Sequence, residues 1–201
     1  MTDNSELNII NRFLHGDNEA YSLLYREHVQ ELFSYGKALT GDHELLKDAI
    51  QDVFYKILSN PAALKNVQNL KYFLFKSLKN RLIDIIKSEI HQSQSSEVAY
   101  ERLEFTVNDV TILDNLILEE ERIEISRKIK LLLNLLTSRQ REAVCLRYIY
   151  GMEYDEIADL LNMGNSKSAR NLVSRAIEHL RKEDLSTLFL FLCTVQIMHL
   201  S

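Results

Sequence analysis

The chain has 201 residues, 46% of them hydrophobic, and a single proline; this composition excludes broad disorder and suits one domain or two small ones. Its two cysteines, Cys145 and Cys193, support neither a disulfide framework nor a Cys-based metal knuckle, and "MTDNSELNII" carries no readable secretory signal, so a reducing, cytoplasmic setting is expected. The formal net charge of -5 is uneven: residues 61–91 carry 6 basic against 2 acidic side chains and residues 127–182 carry 11 against 6, while residues 1–60 and 97–124 are acidic, so local potential outweighs the total for phosphate attraction.

Apolar residues recur at helical spacing nearly throughout, and no run sustains period-two alternation between hairpin turns, which predicts an all-α fold. "NEAYSLLYREHVQELFSYGKALT" places Ala20, Leu23, Leu24, Val29, Leu32, Phe33 and Leu39 on one stripe, with Gly41 ending the segment. "DHELLKDAIQDVFYKILSN" repeats the pattern from Leu45 to Leu58, with Asp42 as its cap and Pro61 just beyond its end. A third helix, about residues 70–90, buries Phe73, Leu74, Leu78, Leu82, Ile83 and Ile86 and turns Lys71, Lys76, Lys79, Asn80 and Lys87 outward. Residues 91–110 lose the periodicity and read as an acidic, flexible linker. A long helix is expected over about residues 111–136. Thr137 with Gln140 forms a capping box for the next, which Gly151 closes.

"EYDEIADLLNMGNSKSARNLVSRAIEHLRK", residues 153–182, gives two further helices around a short polar turn, in which Gly164 would permit a sharp reversal. Ile157, Ala158, Leu160 and Leu161 form the buried face of the first; Leu172, Val173, Ala176, Ile177 and Leu180 form that of the second. If this is a DNA-reading pair, the N-terminal part of the second helix enters the major groove. Ser168, Arg170, Asn171 and Ser174 are then the base-edge candidates, while Lys167 and Arg175 suit phosphate. The plainer alternative is a solvated basic face on a packed hairpin.

Across about residues 10–90 and 111–182 the chain resembles the bacterial RNA polymerase sigma factors of the sigma-70 family, in particular the extracytoplasmic-function (ECF) group and its short forms common in Bacteroidetes. "LKDAIQDVF" is similar to the family's core-binding segment, "YFLFKSLKNRLIDIIK" to its minus-ten helix, and "LTSRQREAVCLRYIYGMEYDEIADLLNM" with "SARNLVSRAIEHLR" to its second domain. The turn is one residue longer than usual, Glu153 stands where a Ser or Thr often caps, and Lys167, Ser168 and Ala169 replace the usual Gly-Thr-Val. The resemblance implies residues 1–90 as region 2, 91–110 as linker, 111–183 as region 4 and 184–201 as an apolar tail.

It further implies that Asp48, Gln51, Asp52, Phe54 and Tyr55 dock on the polymerase, although Glu44, Asp48 and Asp52 at four-residue spacing also read as an ordinary acidic surface. Tyr25 reads as core. Opening a duplex needs a base pocket and basic groups for the displaced strand. Asn66, Gln68 and Asn69 are the pocket candidates and Lys71, Lys76, Lys79, Asn80, Arg81 and Lys87 the strand-holding ones; a polar connector is the equal alternative for the three amides. The partners implied are core RNA polymerase, promoter DNA and an anti-sigma factor of the membrane-bound kind common in the family. No cofactor, metal, small-molecule substrate or enzymatic activity is expected, because the six histidines are scattered and no nucleotide loop or metal motif occurs. A one-component helix-turn-helix regulator and a helical metal-dependent hydrolase are the alternatives. The tail "LSTLFLFLCTVQIMHL" is too short and too interrupted to span a membrane and is expected to pack against protein.

Overall fold

The computed structural model describes residues 4–89, 103–106 and 120–198, and every regular element among them is helical. The chain forms two compact units, Met1–Leu103 and Glu104–Ser201.

The first unit contains α1 (Asn4–Leu14), α2 (Asn18–Leu39), α3 (His43–Ser59), a 3-10 turn (Pro61–Leu64) and α4 (Leu70–Glu89). Helix α1 was not expected. Its buried Ile9, Ile10 and Phe13 lie at helical spacing and pack it onto α2. Asp17 then caps α2, its Oδ1 accepting from the Glu19 and Ala20 amides at 2.9 and 3.3 Å. As expected, Asp42 caps α3, accepting from the Glu44 and Leu45 amides at 3.1 and 3.0 Å. Gly36 is buried where α2 meets α3, and a methyl there would collide with Leu46 Cδ1. The missing side chain thus allows the two helices their close approach. Helix α4 lies against both, with Phe75 stacked on Tyr35 at 4.4 Å and both rings fully buried.

The second unit contains α5 (Glu120–Leu133), α6 (Ser138–Tyr148), α7 (Tyr154–Leu160), α8 (Ser166–Glu183) and α9 (Leu185–Met198). The expected long helix is described from Glu120 on; residues 111–119 lie outside the described residues. The capping box of α6 is present, with Gln140 N donating to Thr137 Oγ1 at 3.3 Å and Thr137 N to Gln140 Oε1 at 3.2 Å. Gly151 has φ +70°, which lets the chain leave α6. Phe105 corrects the expected linker at one point. It is fully buried, its amide donates to Ser138 Oγ at 2.8 Å, and its carbonyl accepts from Arg141 Nη1 at 2.9 Å. The same guanidinium reaches the Leu133 and Leu136 carbonyls at 3.1 and 2.9 Å, satisfying the exposed end of α5. Cys145 is buried, and burial pushes its thiol up to about 12, so it serves as a small core residue.

The apolar tail is a helix of the second unit. Helix α9 packs on α5 and α8, burying Leu188, Phe191 and Val195, with Phe191 edge-on to Tyr148 at 6.2 Å. Asp184 caps it: the Thr187 hydroxyl and amide donate to its carboxylate at 2.6 and 3.0 Å, holding that carboxyl below its usual pKa. Among the described residues no helix is long and apolar enough to cross a membrane.

Candidate functional site

A groove of about 640 Å³ runs between α2 and α3 of the first unit. Tyr21, Tyr25, Val29 and Phe33 line it from α2, and Ile50, Phe54, Tyr55 and Leu58 from α3, with Gln30, Lys47 and Gln51 as its polar lining. Three of these large side chains stay exposed: Tyr25 at 40%, Leu58 at 44% and Tyr55 at 65%. The aromatics at its base are tied to one another. Tyr21 donates its hydroxyl to the Phe54 carbonyl at 3.1 Å, and the Tyr25 and Phe54 rings meet edge-on at 4.7 Å. Exposed aromatics clustered over a fixed base form a surface suited to another protein.

The groove corrects several expectations. Tyr25 is surface rather than core, and Val29, Phe33 and Leu58 line the groove instead of completing the buried stripe. The period of α2 and α3 locates each residue on a face, but only the splay of the two helices decides that this edge stays open. Phe54 is buried, so it can shape the docking surface from beneath but offers little area of its own. Asp48, Gln51 and Tyr55 are exposed. Asp52 is engaged from another helix: Arg81 Nε and Nη2 both reach its Oδ2 at 2.6 Å, tying α3 to α4. Each member is partly exposed, so Asp52→Asn and Arg81→Ala are expected to show a coupling of roughly 0.5–1 kcal/mol in a double-mutant cycle of unfolding free energies. Additive effects would show that the pair does not stabilise the unit.

The residues expected to handle the opened strand divide along α4. Lys79 is only 5% exposed, contrary to the outward position expected for it, because it falls beside Phe75 and Leu82 on the buried face. Lys71 is half-buried and paired with Glu31 at 3.0 Å. Asn69 Oδ1 accepts from the Tyr72 amide at 3.1 Å, so this side chain caps α4 rather than offering a free base-reading amide. A coherent outward stripe remains: Tyr72, Lys76, Asn80, Asp84 and Lys87 follow one another at helical spacing, all at least partly exposed, with Lys76 Nζ 5.7 Å from the Tyr72 ring centroid. Lys65, Asn66 and Gln68 are exposed in the segment leading into it.

In the second unit α7, a turn and α8 form a helix-turn-helix. The reversal is made by Asn162, at φ +50°, and not by Gly164, around which a Cβ would meet nothing. Met163 N donates back to the Ala158 carbonyl at 2.7 Å, and Arg139 Nη2 donates to the Leu161 carbonyl at 2.8 Å, together satisfying the end of α7. Asparagine tolerates this left-handed conformation better than most residues, which explains how the turn works without glycine there. Asn165 caps α8, accepting from the Ser168 amide at 2.9 Å; Ser168 Oγ also donates to it at 3.2 Å, so that hydroxyl is committed to the cap. Ala169, Val173, Ala176 and Leu180 are buried, and Lys167, Arg170, Asn171, Ser174 and Arg175 stand exposed on the opposite side. Leu172 and Ile177, expected in the core, are half-exposed at its edges.

Tyr154, at the start of α7, escaped notice in the sequence. Its ring lies near two guanidinium groups, with Arg147 Cζ 4.8 Å and Arg170 Cζ 5.1 Å from its centroid. Nothing local signals this, since the three residues come from three helices.

Residues 24–90 match the family model of Sigma-70 region 2, and residues 126–180 match that of Sigma-70, region 4. The chain belongs to the sigma-70 family. Among curated proteins it is similar to the ECF RNA polymerase sigma factor SigX of Bacillus subtilis, 25% identical over 165 residues that cover 82% of this chain and 83% of that one. It is similar also to the ECF RNA polymerase sigma factor SigK of Mycolicibacterium vanbaalenii, 25% identical over 167 residues, or 83% and 82% of the two chains. The chain is thus an ECF sigma factor: it binds core RNA polymerase and promoter DNA and directs promoter-specific initiation. The regulator and hydrolase alternatives are not favoured. Apart from Tyr21, the groove and the α4 stripe fall within the region 2 match, and the helix-turn-helix as far as Leu180 within the region 4 match, whereas α1 and α9 lie outside both.

Proposed function

We propose that this sigma factor docks on core polymerase through the α2–α3 groove and its margin, with Tyr55 and Gln51 in contact, Asp48 as a charged edge and Phe54 supporting them from below. Residues 1–90 then act as one functional domain. The outward stripe of α4, with Lys65, Asn66 and Gln68 ahead of it, holds the opened minus-ten strand, Tyr72 giving a stacking face and Lys76 and Lys87 the charge. Residues 111–183 act on the minus-thirty-five element, residues 91–110 connect the two, with Phe105 packed against the second unit, and α9 braces the second domain. An anti-sigma factor, as the family resemblance implies, completes the partners, and the chain works in the cytoplasm.

The observation that carries the proposal is the α8 face, where five exposed polar or basic residues at helical spacing oppose a buried apolar row within a helix-turn-helix. Arg170 and Asn171 have the donor geometry for base edges, and Lys167 and Arg175 the charge for phosphate. In transcription reconstituted with cognate core polymerase on a promoter library, Arg170→Ala is expected to re-rank upstream elements, with about 1–3 kcal/mol lost at one base position. Lys167→Ala should weaken all promoters alike and reduce the salt slope by about one. Identical promoter rankings and affinities for both variants and the parent would refute these roles, and a folded chain that directs no promoter-specific initiation would refute the whole proposal.

A further inference from the structure

We infer that Tyr154 is a positioning residue for promoter discrimination: its ring holds the Arg170 guanidinium in place before DNA arrives. The inference rests on the proposal that Arg170 reads a base of the upstream element. Arg170 is exposed on the second turn of α8, where a long, charged side chain would sample many rotamers and lose that freedom on binding. Its guanidinium instead lies 5.1 Å from the ring centroid of half-buried Tyr154. A guanidinium against a ring face keeps its planar donor edge available while restricting where it points.

The ring is itself backed by a fixed group. Arg147 of α6 lies 4.8 Å from the same centroid, donates from Nη1 to the Met152 carbonyl at 2.8 Å, and pairs with the Glu153 carboxylate at 3.2 Å. Arg147 is therefore anchored to the last two residues of the loop that leads into α7, and Glu153 offsets its charge. Tyr154 hangs on this anchor and carries Arg170. The unusual Glu153 at the head of α7 gains a role by this route: it pairs with Arg147, and its own amide donates to Glu156 Oε2 at 2.8 Å.

The test uses holoenzyme reconstituted with the full chain and promoter fragments varied through the upstream element. Tyr154→Leu removes the ring, Tyr154→Phe keeps it and removes only the hydroxyl, and each is combined with Arg170→Ala. Tyr154→Leu should cost about two- to five-fold in discrimination at the position read by Arg170. Tyr154→Phe should retain the parent value, and Tyr154→Leu should have no further effect once Arg170 is alanine. Additive losses from Tyr154→Leu and Arg170→Ala would overturn the inference, because a merely structural role for Tyr154 acts with or without Arg170. A Phe variant as impaired as the Leu variant would also overturn it, assigning the effect to the hydroxyl. If Arg170→Ala alone leaves the promoter ranking unchanged, the base-reading role of Arg170 fails first, which separates the two conclusions.

Discussion

Replacing Phe191 with alanine is expected to lower the stability of the second unit by about 3–5 kcal/mol, enough to unfold much of it at physiological temperature. Phe191 is fully buried on α9 and meets Tyr148 of α6, so truncation both loses apolar burial and leaves a cavity where the tail helix joins the helices that carry the helix-turn-helix. Phe189 supplies an internal control. It lies two residues away on the same helix but is 65% exposed, and Phe189→Ala should change stability by no more than about 0.5 kcal/mol. Because the chain has two units and need not unfold in one step, the measurement is amide hydrogen exchange resolved by segment, with the first unit as internal reference. Equal protection in both variants across α6 to α8 would show that α9 does not brace the DNA-reading pair.

The second large effect concerns the polymerase. Tyr55→Ala should weaken binding to core polymerase by about thirty-fold or more, in line with the 2 kcal/mol or greater loss typical of an interface hot-spot aromatic. The residue is 65% exposed, so the fold should lose little, and thermal unfolding should stay near that of the parent. Asp48→Lys should act differently, slowing association and altering its salt dependence more than it speeds dissociation, because an exposed edge charge steers encounter. Competition of each variant against labelled parent chain for core polymerase reads both effects. Undiminished affinity in Tyr55→Ala would exclude the groove as the docking surface. Lys56→Ala, an exposed neighbour that does not line the groove, should compete as well as the parent.

Much of the second unit was legible because its signals are local. The Thr137 and Gln140 capping box and the closing Gly151 are each read within a few residues and appear where expected, and of the apolar row expected on α8, Val173, Ala176 and Leu180 are buried. The same holds for Asp42 at the head of α3. Helix α1 went unread although Ile9, Ile10 and Phe13 carry its pattern, since eleven residues make a weak periodic signal until a neighbouring helix buries one face. The site residues were less legible. Both positions 76 and 79 of α4 are lysine; the packing of α4 on α2 and α3 buries Lys79 and leaves Lys76 partly exposed.

The sequence by itself determined the all-helical class and the face of α8 turned outward, because helix periodicity and capping act over three or four residues, while the two functional parts came from its resemblance to the sigma-70 family. Only the tertiary structure decided which charged and aromatic groups remain available for a partner. Asp52 and Arg81 are 29 residues apart, Lys71 and Glu31 are 40 apart, and Tyr154 meets guanidinium groups from two other helices. Such contacts depend on how helices cross and splay, a geometry set by the whole core; no short-range spacing encodes it.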